Sequence, residues 1–185
     1  MAASGQNLLF RRAAYEEVGG YEKVMHRISG DDVLLMQMIR TATQWRIAFA
    51  SEAGSFAVQP PTASWKSLLN QRARWASNAP LMAQLDPLFY GYMIITYCLS
   101  WCVVLSPLLV LAGWVQPFLM AAVLSVKWIG ESFFFLRANT LGQRSDLVMF
   151  LPLYMLLQPL PGALGGGLGA LGVFSWKGKR HRWGK

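Results

Sequence analysis

Residues 88–113 form a run of 26 residues without one formally charged side chain. A helix needs about 20 predominantly apolar residues to cross the hydrocarbon core of a bilayer. In lipid no water replaces a missing backbone partner, so such a run must close into a helix to cross. A second apolar run, residues 114–136, opens on the turn "WVQP" and is interrupted by Lys127 and Glu131. With so short a connection, the two runs read as a helical hairpin. A third run, residues 147–174, is uncharged but holds Pro152, Pro159, Pro161 and the glycine-rich "GALGGGLGALG". Its "QPLPG" break at residues 158–162 is expected to give a re-entrant or interfacial pair of half-helices, the alternative being a third, kinked span. Non-helical backbone at that depth must be covered by protein.

Charge sets the orientation. Residues 1–87 carry nine basic and seven acidic residues, and residues 88–185 carry eight and two. Five of the basic residues, Lys177, Lys179, Arg180, Arg182 and Lys185, fall in the last nine positions. A basic tail directly after an apolar segment points to the cytoplasmic face of a membrane and its anionic lipids. The basic residues do not interleave with aromatics, which argues against nucleic acid as a partner. If the soluble part, the loop 137–146 and the tail 175–185 share the cytoplasmic side, the number of crossings is even. "MAASGQNLLFRR" has no apolar core with a cleavage site, so it does not read as a signal peptide. Cys98 and Cys102 are expected as reduced core residues, and His26 and His181 as surface residues without a second ligand at metal spacing.

Within the apolar runs, Lys127 lies about 15 Å past Pro117 at the helical rise, close to mid-bilayer. A charge there is costly unless paired, and Glu131, one turn on, is the expected partner. A polar contact to an acceptor molecule is the alternative use. Gly162 with Gly166 and Gly165 with Gly169 have the four-residue spacing of close helix packing.

The soluble part reads as mixed α and β. "NLLFRR", "QWRIAFA" and "SFAVQ" are strand candidates, and a helix is expected from about Arg12 to Val18, stopped by Gly19 and Gly20. A further helix starts at "SGDD". There Ser29 as N-cap with Asp32 three residues on would be a capping-box variant. The same acids, Asp31 and Asp32, could instead serve as a general base held rigidly at a helix start. "PPTASWKSLLNQRARWASN" predicts an amphipathic helix capped by Ser64. It places Gln71, Arg74 and Trp75 at i, i+3 and i+4, on one face. That trio suits a membrane interface. It also suits a ligand, since a guanidinium fork fits phosphate oxygens and an indole face fits a sugar ring.

The order of these elements is more specific than any one of them. "GQNLLFRRAAYEEVGGY", "ISGDDVLLMQ" and the Q-x-x-R-W of "NQRARW", followed by apolar helices, resemble the C-terminal half of membrane-bound family 2 glycosyltransferases. That group includes cellulose and hyaluronan synthases and ceramide glucosyltransferases, and "FSWKGKR" is similar to the tail of its bacterial members. The resemblance covers essentially the whole chain. It implies an α/β fold, namely the C-terminal part of a GT-A-type nucleotide-diphospho-sugar transferase domain, followed by an α-helical transmembrane region.

The resemblance further implies that Asp32 is the general base, with Asp31 beside it. Gln71, Arg74 and Trp75 would cover the donor pyrophosphate and border the acceptor, and Asn7 and Gly5 would lie near the acceptor. The reaction implied is inverting transfer from a nucleotide-diphosphate sugar to a lipid or glycan hydroxyl, in cell-envelope or polysaccharide synthesis. The location implied is a bacterial cytoplasmic membrane. A divalent metal (Mg or Mn) is expected for the full enzyme, but the D-x-D motif that holds it in the family has no counterpart here, and no metal ligand is assigned. The expectation is therefore a C-terminal half, inactive without a D-x-D-bearing half or partner subunit.

The expected organisation is a partial catalytic segment at 1–61 and an interface helix region at 62–87. A transmembrane region at 88–174 and a basic tail at 175–185 complete it. A non-catalytic anchor or assembly subunit is the rival reading, and a small pore a third.

Overall fold

A computed structural model describes residues 5–25, 27, 29–177 and 179–181. His26, Arg182, Lys185 and the side chains of Arg180 and His181 lie outside the described part.

Regular structure ahead of the membrane region is helical. Helix α1 (Arg12–Glu17) is short because Gly19 and Gly20 follow with φ of 79° and 58°, a left-handed geometry that ends a helix and that glycine adopts freely. Helix α2 (Asp31–Ala42) buries Leu34, Leu35, Met38 and Ile39 against Ala14, Val18 and Met82. Its first turn is acidic and its last carries Arg40, both favourable to the helix dipole. Helix α3 (Trp65–Ala76) begins where the Ser64 hydroxyl accepts a hydrogen bond from the Ser67 N–H at 3.2 Å, as the sequence requires. Helix α4 (Ala79–Leu85) then runs to Asp86, which is only 2% exposed. One Asp86 oxygen caps the next helix by accepting from the Phe89 N–H at 3.1 Å, and the other pairs with Arg40. Phe89, Tyr90 and Met93 extend the same core, so the soluble helices are docked onto the start of the membrane region.

Two expectations fail here. "NLLFRR", "QWRIAFA" and "SFAVQ" belong to no ladder, and the one sheet among the described residues is a two-stranded hairpin near the C-terminus. Apolar alternation makes half a strand pair, and the other half must come from a neighbour that these residues do not meet. Ser29 does not cap α2. Gly30 occupies that position with φ 91° and no side-chain cap forms, because the Ser29 hydroxyl is turned toward α3.

Helices α5 (Pro87–Leu111) and α6 (Pro117–Leu141) are both long and apolar enough to cross a bilayer. The turn at residues 112–116 folds them into the expected hairpin. α6 continues beyond the apolar run to Leu141, since a charge such as Arg137 ends burial in lipid without ending a helix. Lys127 and Glu131 pair at 2.5 Å, and the Lys127 side chain is 4% exposed, so the intramembrane charge is neutralised within its own helix. Cys98 and Cys102 are free, as expected, but exposed on α5 and not in the core.

The third run is broken. A 3-10 segment (Ser145–Phe150) and helix α7 (Leu151–Leu157) meet helix α8 (Pro159–Ala170) at an angle of 52°. Pro159 and Pro161 at the break are buried in protein, as backbone at that depth demands. α8 presents two glycine faces to two partners. Gly162 and Gly166 lie against Ser100 and Tyr97 of α5, while Gly165 and Gly169 lie against Arg72, Ala73 and Ala76 of α3. The segment ends in strands β1 (Phe174–Trp176) and β2 (Lys179–His181), and β1 returns to α3, where the Ser175 N–H donates to Asn70 Oδ1 at 3.0 Å. The C-terminal end of the bent pair therefore returns to α3.

A Cβ at Gly169 would stand 2.5 Å from the Ala73 carbonyl oxygen and from Ala76 Cβ, whereas one at Gly167 would meet only the Tyr97 hydroxyl at 3.4 Å. Gly169→Val is expected to destabilise the α3–α8 contact by about 1–3 kcal/mol, seen as a lower melting temperature in detergent. Gly167→Ala is expected to melt close to the parent.

Candidate active site at the junction of α2 and α3

Three segments distant in sequence meet where α2 begins and α3 ends. Asn78, just past α3, is 6% exposed and ties them together. Its amide nitrogen donates to the Ser29 carbonyl at 2.9 Å and its amide oxygen accepts from Arg27 Nε at 3.1 Å. Arg27 also donates to the Ser77 carbonyl, and the Ser29 hydroxyl donates to the Arg74 carbonyl at 3.3 Å. Gly30 is required here twice over, since its φ is 91° and a Cβ would run into the Asn78 amide. The brace fixes the start of α2, and with it the acidic pair, beside the last turn of α3, and with it Arg74.

Asp31, Arg27 and Arg74 line an open pocket of about 360 Å³, together with Tyr21, Val24, Met25, Trp176 and Lys177. Asp32 does not itself line the pocket, but its carboxylate acts on Arg74 and is held from both sides. One oxygen accepts from the Gly5 N–H at 2.7 Å and the other from the Val33 N–H at 2.7 Å. The G-x-N segment thus reaches the acidic pair through Gly5. Asn7 itself turns away and donates to the Ser55 carbonyl at 2.5 Å.

Burial lowers the Arg74 pKa, and the nearby Asp32 and Asp31 carboxylates partly oppose that fall. Burial likewise lowers the pKa of Arg27. The Tyr21 phenol is pushed upward, first by burial, then by Asp31, Tyr15 and Asp32. Burial is the first cause of all three shifts, and the two carboxylates act in addition on Arg74 and Tyr21. The Arg74 guanidinium lies 4.2 Å from the centre of the Trp176 ring.

The α3 trio is only partly gathered. Arg74 lines the pocket, whereas Gln71 is half-buried along α3 and is not among the pocket-lining residues. Trp75 is 45% exposed, with the Arg72 guanidinium 4.8 Å from its ring centre. The helical period puts three residues on one side, but one side of a helix spans more directions than one small pocket accepts. Tyr21, Arg27, Asn78 and Trp176 were not singled out from the sequence, and Lys177 was read only as part of the basic tail. Only Asn78 carried a local signal, an asparagine directly after a helix. Among the described residues no group of three or more His, Cys, Asp and Glu could hold a metal ion. The expected divalent metal therefore does not fit these residues alone.

Asn78→Ala leaves the Ser29 carbonyl without its buried donor and is expected to cost about 1–3 kcal/mol. Asn78→Asp, which can accept from Arg27 but cannot donate, is expected to lose most of the same stability in thermal melts.

Residues 1–160 match the sequence model described as glycosyl transferase family 21, a ceramide glucosyltransferase family related to family 2. Neither a curated protein nor a solved structure matches the chain. The match covers the acidic pair, the Q-x-x-R-W helix and both candidate spanning helices, and the chain belongs to glycosyl transferase family 21.

Proposed function

We propose that this chain supplies the acceptor-activating and diphosphate-facing side of an inverting sugar transfer at a membrane surface. The donor is a nucleotide-diphosphate sugar, and the acceptor is a hydroxyl on a lipid or glycan. The observation that carries the reading is the convergence of the Asp31–Asp32 pair and the Arg74 guanidinium on one partly buried corner.

In this reading Asp32 removes the acceptor hydroxyl proton, and the freed oxygen attacks the anomeric carbon. The bond from that carbon to the diphosphate oxygen breaks, and its electron pair leaves with the nucleotide diphosphate. Arg74 neutralises the charge that builds there, an interaction stronger in the transition state than before it. The Gly5 N–H fixes the Asp32 carboxylate without supplying a competing proton acceptor. Asp31 faces the pocket and adds field to orient the incoming hydroxyl. Gln71, Trp75 and Asn7 do not line the pocket, and in this reading they would meet only parts of donor and acceptor that project beyond it.

Residues 1–61 are read as the C-terminal part of a GT-A-type domain. Their ladder-free segments would pair with strands contributed by the nucleotide-binding part of the enzyme, which would also hold the base, ribose and divalent metal. The membrane assigned is a bacterial cytoplasmic membrane with this pocket on the cytoplasmic side. The basic loop and tail support that orientation.

The test is transfer of labelled sugar by membranes carrying the assembled enzyme. Asp32→Asn is expected to lower the rate by about 10²–10⁴-fold with unchanged protein level, the range for loss of a general base. Asp31→Asn is expected to fall less. If Asp31→Asn is the silent enzyme and Asp32→Asn turns over normally, the two roles are exchanged. Full activity in both, together with full activity of Arg74→Ala, leaves the chain an anchor.

A further inference from the structure

Helix α3 has a second charged side. Residues two apart on a helix project about 200° from each other, so Arg72 points away from the pocket that Arg74 lines. Their neighbours differ accordingly. Arg72 lies against Gly165 of α8, whereas Arg74 lies over Trp176 of β1. The sugar-transfer reading gives Arg72 no task.

The Arg72 guanidinium has no counter-charge. Among the described residues it takes part in no ion pair and no hydrogen bond. It rests over the Trp75 ring, 4.8 Å from the ring centre, a contact that holds a cation without neutralising it. Packing around it withdraws enough water to lower its pKa, and Tyr154 of α7 opposes that fall. A guanidinium stays charged even so. A partly desolvated cation without a partner is costly, and an incoming anion removes the cost.

The surroundings say which anion. Leu153 and Leu156 flank Tyr154 on α7, and both are exposed. The side of α8 left free by its two glycine faces carries Leu160, Leu164 and Leu171, also exposed. Together α7 and α8 are apolar enough to lie within a membrane. Two polar groups stand unused among these leucines. The Tyr154 hydroxyl has no hydrogen-bond partner among the described residues. Gln158 lies one turn further on, and its Oε1 is buried without a donor among the described residues. A soluble anion would gain nothing from the leucines, whereas a phospholipid would lay its chains on them. Glu131 is already paired with Lys127, so Arg72 leaves the corner net positive. A headgroup with its own cation suits it less than an anionic one.

We propose that Arg72, Trp75 and Tyr154 form a binding site for one anionic phospholipid, on the side of α3 opposite the pocket. The guanidinium fork takes two phosphate oxygens, the Tyr154 hydroxyl donates to the same phosphate, and the acyl chains lie along the exposed leucines of α7 and α8. Gln158 accepts from a hydroxyl of the headgroup.

The test is calorimetric titration of dihexanoyl-phosphatidylglycerol, kept below its micelle concentration, into the full chain in an uncharged maltoside detergent. The parent is expected to bind it saturably, and to bind dihexanoyl-phosphatidylcholine several-fold more weakly. Arg72→Gln keeps a Cβ packed on Gly165 and is expected to weaken phosphatidylglycerol by about tenfold, as for loss of one charge-assisted contact. Arg72→Lys keeps the charge but not the fork, and is expected to fall between the two. Arg74→Gln, and Lys66→Gln at an exposed cation of the same helix, are expected to bind like the parent. If Arg72→Gln melts well below the parent, Tyr154→Phe carries the test, with several-fold weaker binding at an unchanged melting temperature.

Undiminished binding in both Arg72→Gln and Tyr154→Phe overturns the site. An equal loss in Lys66→Gln also overturns it, since the lipid then responds only to diffuse surface charge. Loss in Arg74→Gln alone moves the phosphate to the pocket. Glycerol 3-phosphate separates the sources, because it carries the charge and no chains. If it binds as tightly as the lipid, the site reads soluble phosphate and the proposal fails.

Discussion

The backbone-to-backbone approach of α8 to α3 is the contact on which the site depends. α3 bears Arg74, and a helix with one apolar stripe and several cations has no reason to stay at a fixed angle on its own. Gly165 and Gly169 let α8 lie against Arg72, Ala73 and Ala76, and Ala73 is fully buried there. The opposite glycine face, Gly162 and Gly166, seats α8 on Ser100 and Tyr97 of α5. Small residues allow the close approach that dispersion needs when no hydrophobic driving force separates helix from lipid. α8 is thus a wedge with two smooth sides, and it transmits the rigidity of a spanning helix to the helix of the pocket.

From that fixed helix two polar ties reach into the soluble part. Asn78 binds the loop before α2, and Asp86 joins Arg40 at the end of α2 to the first turn of α5. Each acts at one end of α2, so the acidic pair can neither slide along α3 nor rotate away from it. A buried carboxylate such as Asp86 contributes little net stability, but it specifies one arrangement because any other leaves it unpaired. Polar groups away from the pocket thus hold the acidic pair beside Arg74.

Much of this was legible from local pattern. The spans, their hairpin, the Ser64 cap, the stop at Gly19 and Gly20, and the pairing of Lys127 with Glu131 all follow from neighbours within a few residues. The proline break and the packing role of the glycines were legible for the same reason. What failed was non-local. Ser29 reads as a cap until the Arg74 carbonyl, 45 residues away, competes for its hydroxyl. The apolar alternation of residues 44–50 reads as a strand, yet a ladder requires a partner that the local sequence cannot provide.

By itself the sequence determined the membrane helices, the presence of the acidic pair and the Q-x-x-R-W helix, and through them the family. Hydropathy, helical period and capping act over one or two turns, and a sequence displays them directly. Only the tertiary structure decided that Arg74 and not Trp75 faces the acids and that the basic tail closes on the pocket. It also decided that two glycine faces separate α3 from α5. These depend on which surfaces the chain brings together across a hundred residues, and nothing in a short window records that choice.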